Sequence, residues 1–513
     1  MNTEDRTNTD QKATIDQNTK VQSTEAPSIE IPSIEIPQAP LTMLSELLYG
    51  MSEARNREGY LVGGTVRDLF LKRTDVTDFD LAFAENPSPM ASNFARAKKA
   101  GFVLLDEEHA VARIIRSHDG VSYTFDLAKF RAPNIDQDLA ERDFTINAMS
   151  IRLQWPLLDP HFQIYDPLNG LKHLAEKKLI QCSDEIFNQD PVRLMRAFRF
   201  ASKFDWEIPE KLYALIVRDA EKLKKCAFER IRDEFFKVLS VKDSCKWIRK
   251  MDQCGILQLI LPELIVSKNV DQNRWHHLDV FEHTLLALEN FEKQLETGMP
   301  IPCWKRIKDF LSQPISGNRT YEQLFKLAIL VHDIGKPICK RTEEESGKIV
   351  FHGHEMEGSR MCEEIAERLK LSGNECTFLM KVTKNHMRPG VIIQEGVTER
   401  RLFKYFSETG RDGLGVALLS LADREAAQGP ENKDELPKFR TGIENIISDF
   451  FKQMEYKPKK PLLTGHDLIA HFNLAPGPLF RKVLEEIKEA QHLGKIQSRN
   501  EALELAGNII RDS

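Results

Sequence analysis

Asp78 and Asp80 alternate with Phe79 and Leu81 in the run Asp78-Phe-Asp-Leu-Ala-Phe83, so both carboxylates lie on one face of a strand. A few ångströms apart, they repel each other unless a divalent cation sits between them. Mg²⁺ favours this setting of one or two protein carboxylates completed by substrate phosphate oxygens. Upstream, Tyr60-Leu-Val62 run into Gly63-Gly64 and then Thr65-Val-Arg67-Asp68, which reads as strand, glycine turn and short helix. The glycines let backbone N–H groups approach a triphosphate, and Arg67, beside Asp68, offers a fixed positive fork. Further on, Asp126 stands on the opposite face from Phe125 and Leu127, and a third carboxylate facing the first two completes a polymerase-type site. A bare Asp-x-Asp pair is more often a solvated hairpin. The Gly-Gly-x-x-Arg-Asp stretch just before it turns the reading toward nucleotidyl transfer.

Two more stretches carry chemistry. Glu141-Arg-Asp-Phe-Thr-Ile-Asn-Ala-Met149 supplies the Arg142 guanidinium for a phosphate or sugar, with Asp143 and Asn147 to bond a ribose or to orient that arginine. In Gln189-Asp-Pro-Val-Arg-Leu-Met-Arg-Ala-Phe-Arg-Phe200, the polar residues Asp190, Arg193, Arg196 and Arg199 recur every third position. Leu194, Ala197, Phe198 and Ala201 form a helical core stripe, which explains the helix but not the arginine row. From residue 275 the chemistry changes. His283, the adjacent His332-Asp333 in HDIGKP, His354, His386 and Asp423 are imidazole and carboxylate donors that suit a divalent transition metal.

These groups need a scaffold of about three domains at roughly 150 residues each, and 513 residues provide it. Hydrophobic residues at 41% and charged ones at 29% describe a chain able to bury a sizeable core. No run of about 18 apolar residues exists, so no membrane span is expected. The polar, acidic N-terminus is unlike a secretory signal, and the eight cysteines lack a CxxC pair, which points to reduced cytoplasmic thiols. Net charge is −6, yet residues 193–250 hold 16 Lys/Arg against 9 Asp/Glu. A local basic surface on a mildly acidic chain suits one phosphate backbone gripped at one place. Residues 1–40, with few apolar side chains and a small tandem repeat, PSIEI-PSIEI, are expected to be a disordered acidic tail.

The motifs GGTVRD, DFDLA, ERDFTINA, DPLNG and QDPVR, in that order, resemble those of the class II tRNA nucleotidyltransferase and bacterial poly(A) polymerase family, and residues from His283 to Asp423 resemble an HD phosphohydrolase domain. The resemblance runs from about residue 41 to 513. It implies an α/β nucleotidyltransferase head of the polymerase β type with a mixed sheet (41–170), then an all-α neck and body for RNA and the nucleotide base (171–268), an HD domain (269–430) and a helical tail (431–513). It implies Mg²⁺ on Asp78 and Asp80, CTP and ATP as donors, and tRNA as acceptor. Asp190 and Arg193 are implied to bond the base edge, accepting from an exocyclic amine and donating to a ring acceptor. His283, His332, Asp333 and Asp423 are implied to hold the HD metal, with His354 and His386 as further candidates. Glu141, His173 and Gln189 depart from the family pattern of arginine, aspartate and glutamate. Alternatives stay open: a poly(A) polymerase, against which the acidic run Gly101–His109 speaks; a partial enzyme, since the segment between Asp126 and Arg142 is short as in members that add only C, with full CCA, CC-only and A-only addition all left open; and a phosphohydrolase whose head serves to bind tRNA.

Overall fold

The computed structural model describes residues 32–50, 59–153, 157–272, 277–298, 301, 303–427, 435–455 and 460–512. They fall into two compact units, one built from the chain up to Ile135 together with Met149–Pro167, the other from Asp136–Ala148 together with Leu168 onward.

The strands of the first unit are β1 (Ser33–Glu35), β2 (Gly59–Val62), β3 (Asp78–Phe83), β4 (Gly101–Asp106), β5 (Val111–His118), β6 (Val121–Lys129), β7 (Ser150–Leu153) and β8 (His161–Gln163). Six of them form one mixed sheet in the order β4-β5-β6-β3-β2-β7, in which β3 and β6 run parallel and the other neighbours antiparallel. Helices α1 (Gln38–Gly50), α2 (Gly64–Phe70) and α3 (Ser88–Lys98) complete the unit. Leu61, Phe79, Leu81, Ile114, Phe125 and Leu127 are fully buried, and Phe79 stacks on Phe125 with ring centroids 5.4 Å apart. That apolar face holds β3 and β6 side by side, leaving their aspartates on the other.

The expectation of a disordered segment to residue 40 is corrected from residue 33 onward; residues 1–31 lie outside the described ones. β1 pairs antiparallel with β8, Ile34 opposite Phe162, and Ile34 and Ile36 are buried. Two isoleucines on one side of an extended segment bury enough apolar area once a strand partner is present, a local pattern that composition averaged over forty residues conceals.

The second unit is helical apart from two small hairpins, Pro314–Ser316 with Arg319–Thr320 and Arg341–Thr342 with Ile349–Val350. Its first long helix, Arg193–Phe204, buries Leu194, Ala197, Phe198 and Ala201 along the predicted stripe, joined by Met195 and Phe200. The segment Asp136–Ala148 packs with this unit: Phe144 sits edge-on to Phe200 at 5.8 Å, and its backbone bridges Gln181. No helix among the described residues is long and apolar enough to cross a membrane.

Candidate active site and candidate metal centre

In the first unit the strand register does the positioning. β3 and β6 pair with Asp80 beside Asp126 and Asp78 beside Thr124, so the three aspartates share one face. The Asp78 residue is exposed and the other two are half-buried. Thr65, at the start of α2, ties this strand to the glycine turn: its hydroxyl donates to the Asp78 carbonyl at 3.0 Å and accepts from the Asp80 N–H at 3.2 Å. Gly63 has φ +75°, in the left-handed region that favours glycine. Arg67 is buried and forks onto the Asp68 carboxylate, with Nε–Oδ1 and Nη2–Oδ2 both 2.9 Å. The motif therefore carries its own counterion.

Sequence reasoning missed Arg113. It lies opposite Asp126 across the β5–β6 pair and donates through Nε and Nη2 to both carboxylate oxygens, at 2.7 and 2.8 Å. The signal in the sequence was the dipeptide Asp119-Gly120, which favours a two-residue hairpin turn and here adopts positive φ at both positions. Counting equally outward from that turn brings residues 113 and 126 together.

In the second unit each arginine of the row has its own acceptor. Arg193, buried, donates to Gln189 Oε1 at 2.8 Å and to the Glu141 carbonyl at 2.7 Å. Gln189 thus fills, with a neutral oxygen, the place where the family pattern has a carboxylate. Arg196 donates to Asp143 Oδ2 at 2.7 Å, and Arg199 to Glu234 at 3.2 Å while lying over the Phe200 ring. Asp190 faces Arg230, 2.7 Å away, rather than the side chain of Arg193. Asp143 and Asn147 bond each other at 3.0 Å, whereas Arg142 is held by Asp138 at 2.9 Å, so Asp143 orients Arg196 and not Arg142. Burial alone would raise the Asp143 carboxyl. The Arg196 charge, the Asn147 amide and the Phe144 N–H outweigh it and bring the carboxyl down to about 2.

The histidine constellation is more completely assembled. Helices Val280–Thr297 and Gly413–Ala426 bring His283 Nε2 to 2.9 Å from Asp423 Oδ1. The helix Tyr321–Val331, started by a Thr320/Gln323 capping box, ends on His332-Asp333. His332 Nε2 is 3.1 Å from Asp333 Oδ2, and His283 Nε2 is 3.8 Å from the same oxygen. The other Asp333 oxygen, Oδ1, faces His354 Nε2 at 3.5 Å and His386 Nε2 at 3.8 Å. Two donor sets therefore meet at one buried aspartate: His283, His332, Asp333 and Asp423, and Asp333, His354 and His386.

The imidazoles are fixed for this task. His332, His354 and His386 each place Nδ1 on the carbonyl three residues earlier, Ile329, Phe351 and Thr383, at 2.7, 2.8 and 2.7 Å. A carbonyl oxygen accepts only, so Nδ1 carries a hydrogen and Nε2 is the ring atom turned inward. Burial lowers His332, but Asp333 and Asp423 outweigh it and hold its imidazole up at about 10. Neither Asp333 oxygen receives a hydrogen bond of good geometry, although the Lys336 ammonium stands 2.6 Å from Oδ2. Burial opposes the charged forms of Asp333 and Asp423, yet His332 and Lys336 beside the former, and His283 and His332 beside the latter, hold both well below the carboxylate range. Burial pushes His386 down to about 4, which keeps it a neutral donor. Two divalent ions with Asp333 between them fit this donor set. Gly335 lies where the His332-Asp333 loop passes the helix His354–Arg368; a Cβ there would be 2.2 Å from the His354 carbonyl oxygen.

With this geometry in view, likeness to known proteins is decisive. The A-adding tRNA nucleotidyltransferase of Deinococcus radiodurans is 32% identical over 454 residues, 86% of this chain and 93% of that protein. The chain belongs to the class II tRNA nucleotidyltransferase family. The CC-adding tRNA nucleotidyltransferase of Synechocystis sp. is 25% identical over 88% of this chain and 93% of its own length. Four family models match this tRNA nucleotidyltransferase in order: the poly A polymerase head domain over 59–180, the model described as "Probable RNA and SrmB-binding site of polymerase A" over 205–267, the HD domain over 280–428, and tRNA nucleotidyltransferase domain 2 over 434–506. The fold agrees with the Thermotoga maritima CCA-adding enzyme complexed with tRNA, at a TM-score of 0.57 and 20% identity, covering 93% of this chain and 96% of that one. This tRNA nucleotidyltransferase is an enzyme of nucleotidyl transfer, and both its head and its HD domain are of types that use divalent metals.

Proposed function

We propose that the enzyme adds the terminal adenosine to tRNA, taking AMP from ATP, with Asp78 and Asp80 holding Mg²⁺. The observation that carries the chemistry is the strand register that sets Asp80 beside Asp126 with Asp78 on the same face. Mg²⁺ held by Asp78 and Asp80 would supply positive charge for the donor phosphates and the attacking hydroxyl. The chain's own residues do the rest. Gly63 and Gly64 admit the triphosphate to the backbone, and Thr65 keeps the aspartate strand in register with that turn. Asp190 and Arg193 read the base edge, accepting from the exocyclic amine of adenine and donating to a ring nitrogen. Arg193 is prepositioned for this by Gln189 and the Glu141 carbonyl, and Asp143 holds Arg196. Adenosine rather than cytidine is favoured by the higher identity to the A-adding relative, 32% against 25% for the CC-adding one.

The test uses three tRNAs, ending in the discriminator base, in C and in CC, each with Mg²⁺ and CTP alone, ATP alone or both. The expected result is one A on the tRNA ending in CC and nothing from CTP. Incorporation from CTP overturns A-only addition, a long adenosine tail means a poly(A) polymerase, and no incorporation overturns the assignment of the head.

The HD centre supports a second activity, hydrolysis of a phosphoester. Its support is the convergence of four histidines and two aspartates on two sets of donor atoms sharing Asp333. These residues would hold a transition-metal pair, which would supply Lewis acidity for a water and for phosphoryl oxygens. Turnover of a generic phosphodiester with Mn²⁺, Ni²⁺ or Co²⁺ that disappears in His332→Ala checks it; equal turnover in that variant removes the reading.

A further inference from the structure

Arg113 has no place in the chemistry assigned above, yet it forks onto the aspartate row, through Nε and Nη2 to both oxygens of Asp126. Its third nitrogen, Nη1, makes no hydrogen bond among the described residues, and its side chain is 40% exposed against 25% for Asp126. The guanidinium is thus anchored at one edge and open at the other. Asp126 first, then Asp78 and Asp80, stabilise its charged form, which places it in the field of the whole carboxylate row.

The order of strands gives this position a meaning. Across the sheet run β2, β3, β6 and β5, so the Gly63-Gly64 turn after β2 and Arg113 on β5 lie at opposite ends of the row Asp78, Asp80, Asp126. Phosphoryl transfer is in line, with attacking and leaving oxygens on opposite sides of the transferred phosphorus. With the triphosphate at the glycine turn, pyrophosphate leaves toward β2, and the acceptor 3′ hydroxyl must come from the β5 side. Strands are spaced about 4.8 Å apart, and the Arg113 guanidinium is drawn one strand inward onto Asp126, so it stands about one strand from β3 and whatever approaches there.

We propose that Arg113 contacts the last phosphodiester of the acceptor RNA and that Asp126 is a positioning residue that aims it, not a third metal ligand. The inference rests on the nucleotidyltransferase reading of the head. An arginine forked onto a carboxylate keeps its remaining N–H pair in a fixed direction, which is what a phosphate at a defined place requires. A mere surface ion pair would contribute little to anything measured.

The test compares the full-length protein with Arg113→Ala, Arg113→Lys, Asp126→Ala, Asp126→Asn, Asp126→Glu and the Arg113→Ala/Asp126→Ala double variant. tRNA ending in CC is titrated by fluorescence anisotropy over a range of salt, and KM values for tRNA and ATP are measured alongside. Mn²⁺ binding is followed by electron paramagnetic resonance; the HD ligands are common to all variants, so differences report on the head. Arg113→Ala is expected to weaken tRNA binding about tenfold and to lower the salt slope by about one, as loss of one phosphate contact does. KM for ATP is expected to stay as in the wild type, and Mn²⁺ binding to change only as loss of a neighbouring charge changes it, by about threefold or less. Asp126→Ala and Asp126→Asn should match it in tRNA KM, the double variant should be no worse than either single one, and Asp126→Glu should recover part of the loss. Mn²⁺ binding weakened by more than about tenfold in Asp126→Asn would make Asp126 a metal ligand with an arginine counterion and overturn the proposal. Unchanged tRNA affinity in Arg113→Ala, with wild-type incorporation intact, overturns it while leaving the head reading standing; a wild type that incorporates nothing removes both.

Discussion

The aspartate row of the head and the histidine cluster of the HD domain are both built for divalent cations, and they are built differently. The head offers half-exposed to exposed carboxylates on an open sheet face, and no imidazole is among the assigned ligands. The HD centre offers four histidines and two aspartates, with His283, His332 and Asp333 almost wholly enclosed. Three of its imidazoles are locked by backbone carbonyls. A site that leaves coordination positions to be filled by substrate phosphates binds its ion weakly and together with the nucleotide. A site that fills them from the chain keeps its ion between turnovers. On the proposed reading, the head would take its metal with substrate and the HD centre would keep its own between turnovers.

The largest effect expected of that contrast is at Asp80. Asp80→Ala should reduce nucleotide incorporation at least about a thousandfold, because several kcal/mol of charge stabilisation go with the ion. The metal content of the dialysed protein should not change, since that content resides in the HD centre. Incorporation within tenfold of the wild type would remove the Mg²⁺ assignment.

Metal content itself comes next. Elemental analysis after dialysis against a weak chelator should find two ions per chain in the wild type, one in His386→Ala and none in Asp333→Ala. Two ions retained in Asp333→Ala would mean that the two donor sets do not share that residue.

A smaller effect is expected at Arg193. Arg193→Lys keeps a charge in the buried slot but loses the fork, and the preference for ATP over UTP and GTP should fall about ten- to a hundredfold. Selectivity unchanged in the kcat/KM ratios would take the base edge away from this residue.

The smallest concerns stability. The Asp143 carboxyl is depressed to about 2 in the folded protein, below the ordinary aspartate value of about 3.9. The stabilisation, about 2 kcal/mol, is fully present above the unfolded value and is lost as pH falls from about 5 toward 2. Denaturant titrations at pH 7 and pH 3 should show this difference, and Asp143→Asn should abolish it. An equal pH dependence in that variant would assign it to other carboxylates.

The parts legible in the sequence were those encoded in short periodic patterns. Alternation of apolar residues gave the β3 strand and the common face of Asp78 and Asp80, and the three- and four-residue spacing gave the Arg193–Phe204 helix with its buried stripe. The six HD positions were named one by one, but their division into two sets about Asp333 was not, because it depends on which of its oxygens each imidazole faces. Arg113 escaped because its partner is set by pairing across a hairpin rather than by spacing along the chain. The pairing of Asp143 with Arg196, 53 residues away, is likewise a product of packing that no local pattern records.

The bare backbone at Gly335 has a consequence beyond packing. Any side chain there would collide with the main chain at His354, so the loop bearing His332 and Asp333 and the helix bearing His354 touch backbone to backbone. The span between the two donor sets is therefore written in peptide geometry and not in rotamers. Substitution of a ligand can alter which ion the centre prefers. The distance between its halves stays out of reach of such changes, so the choice of metal and the size of the bridged group are free to evolve separately.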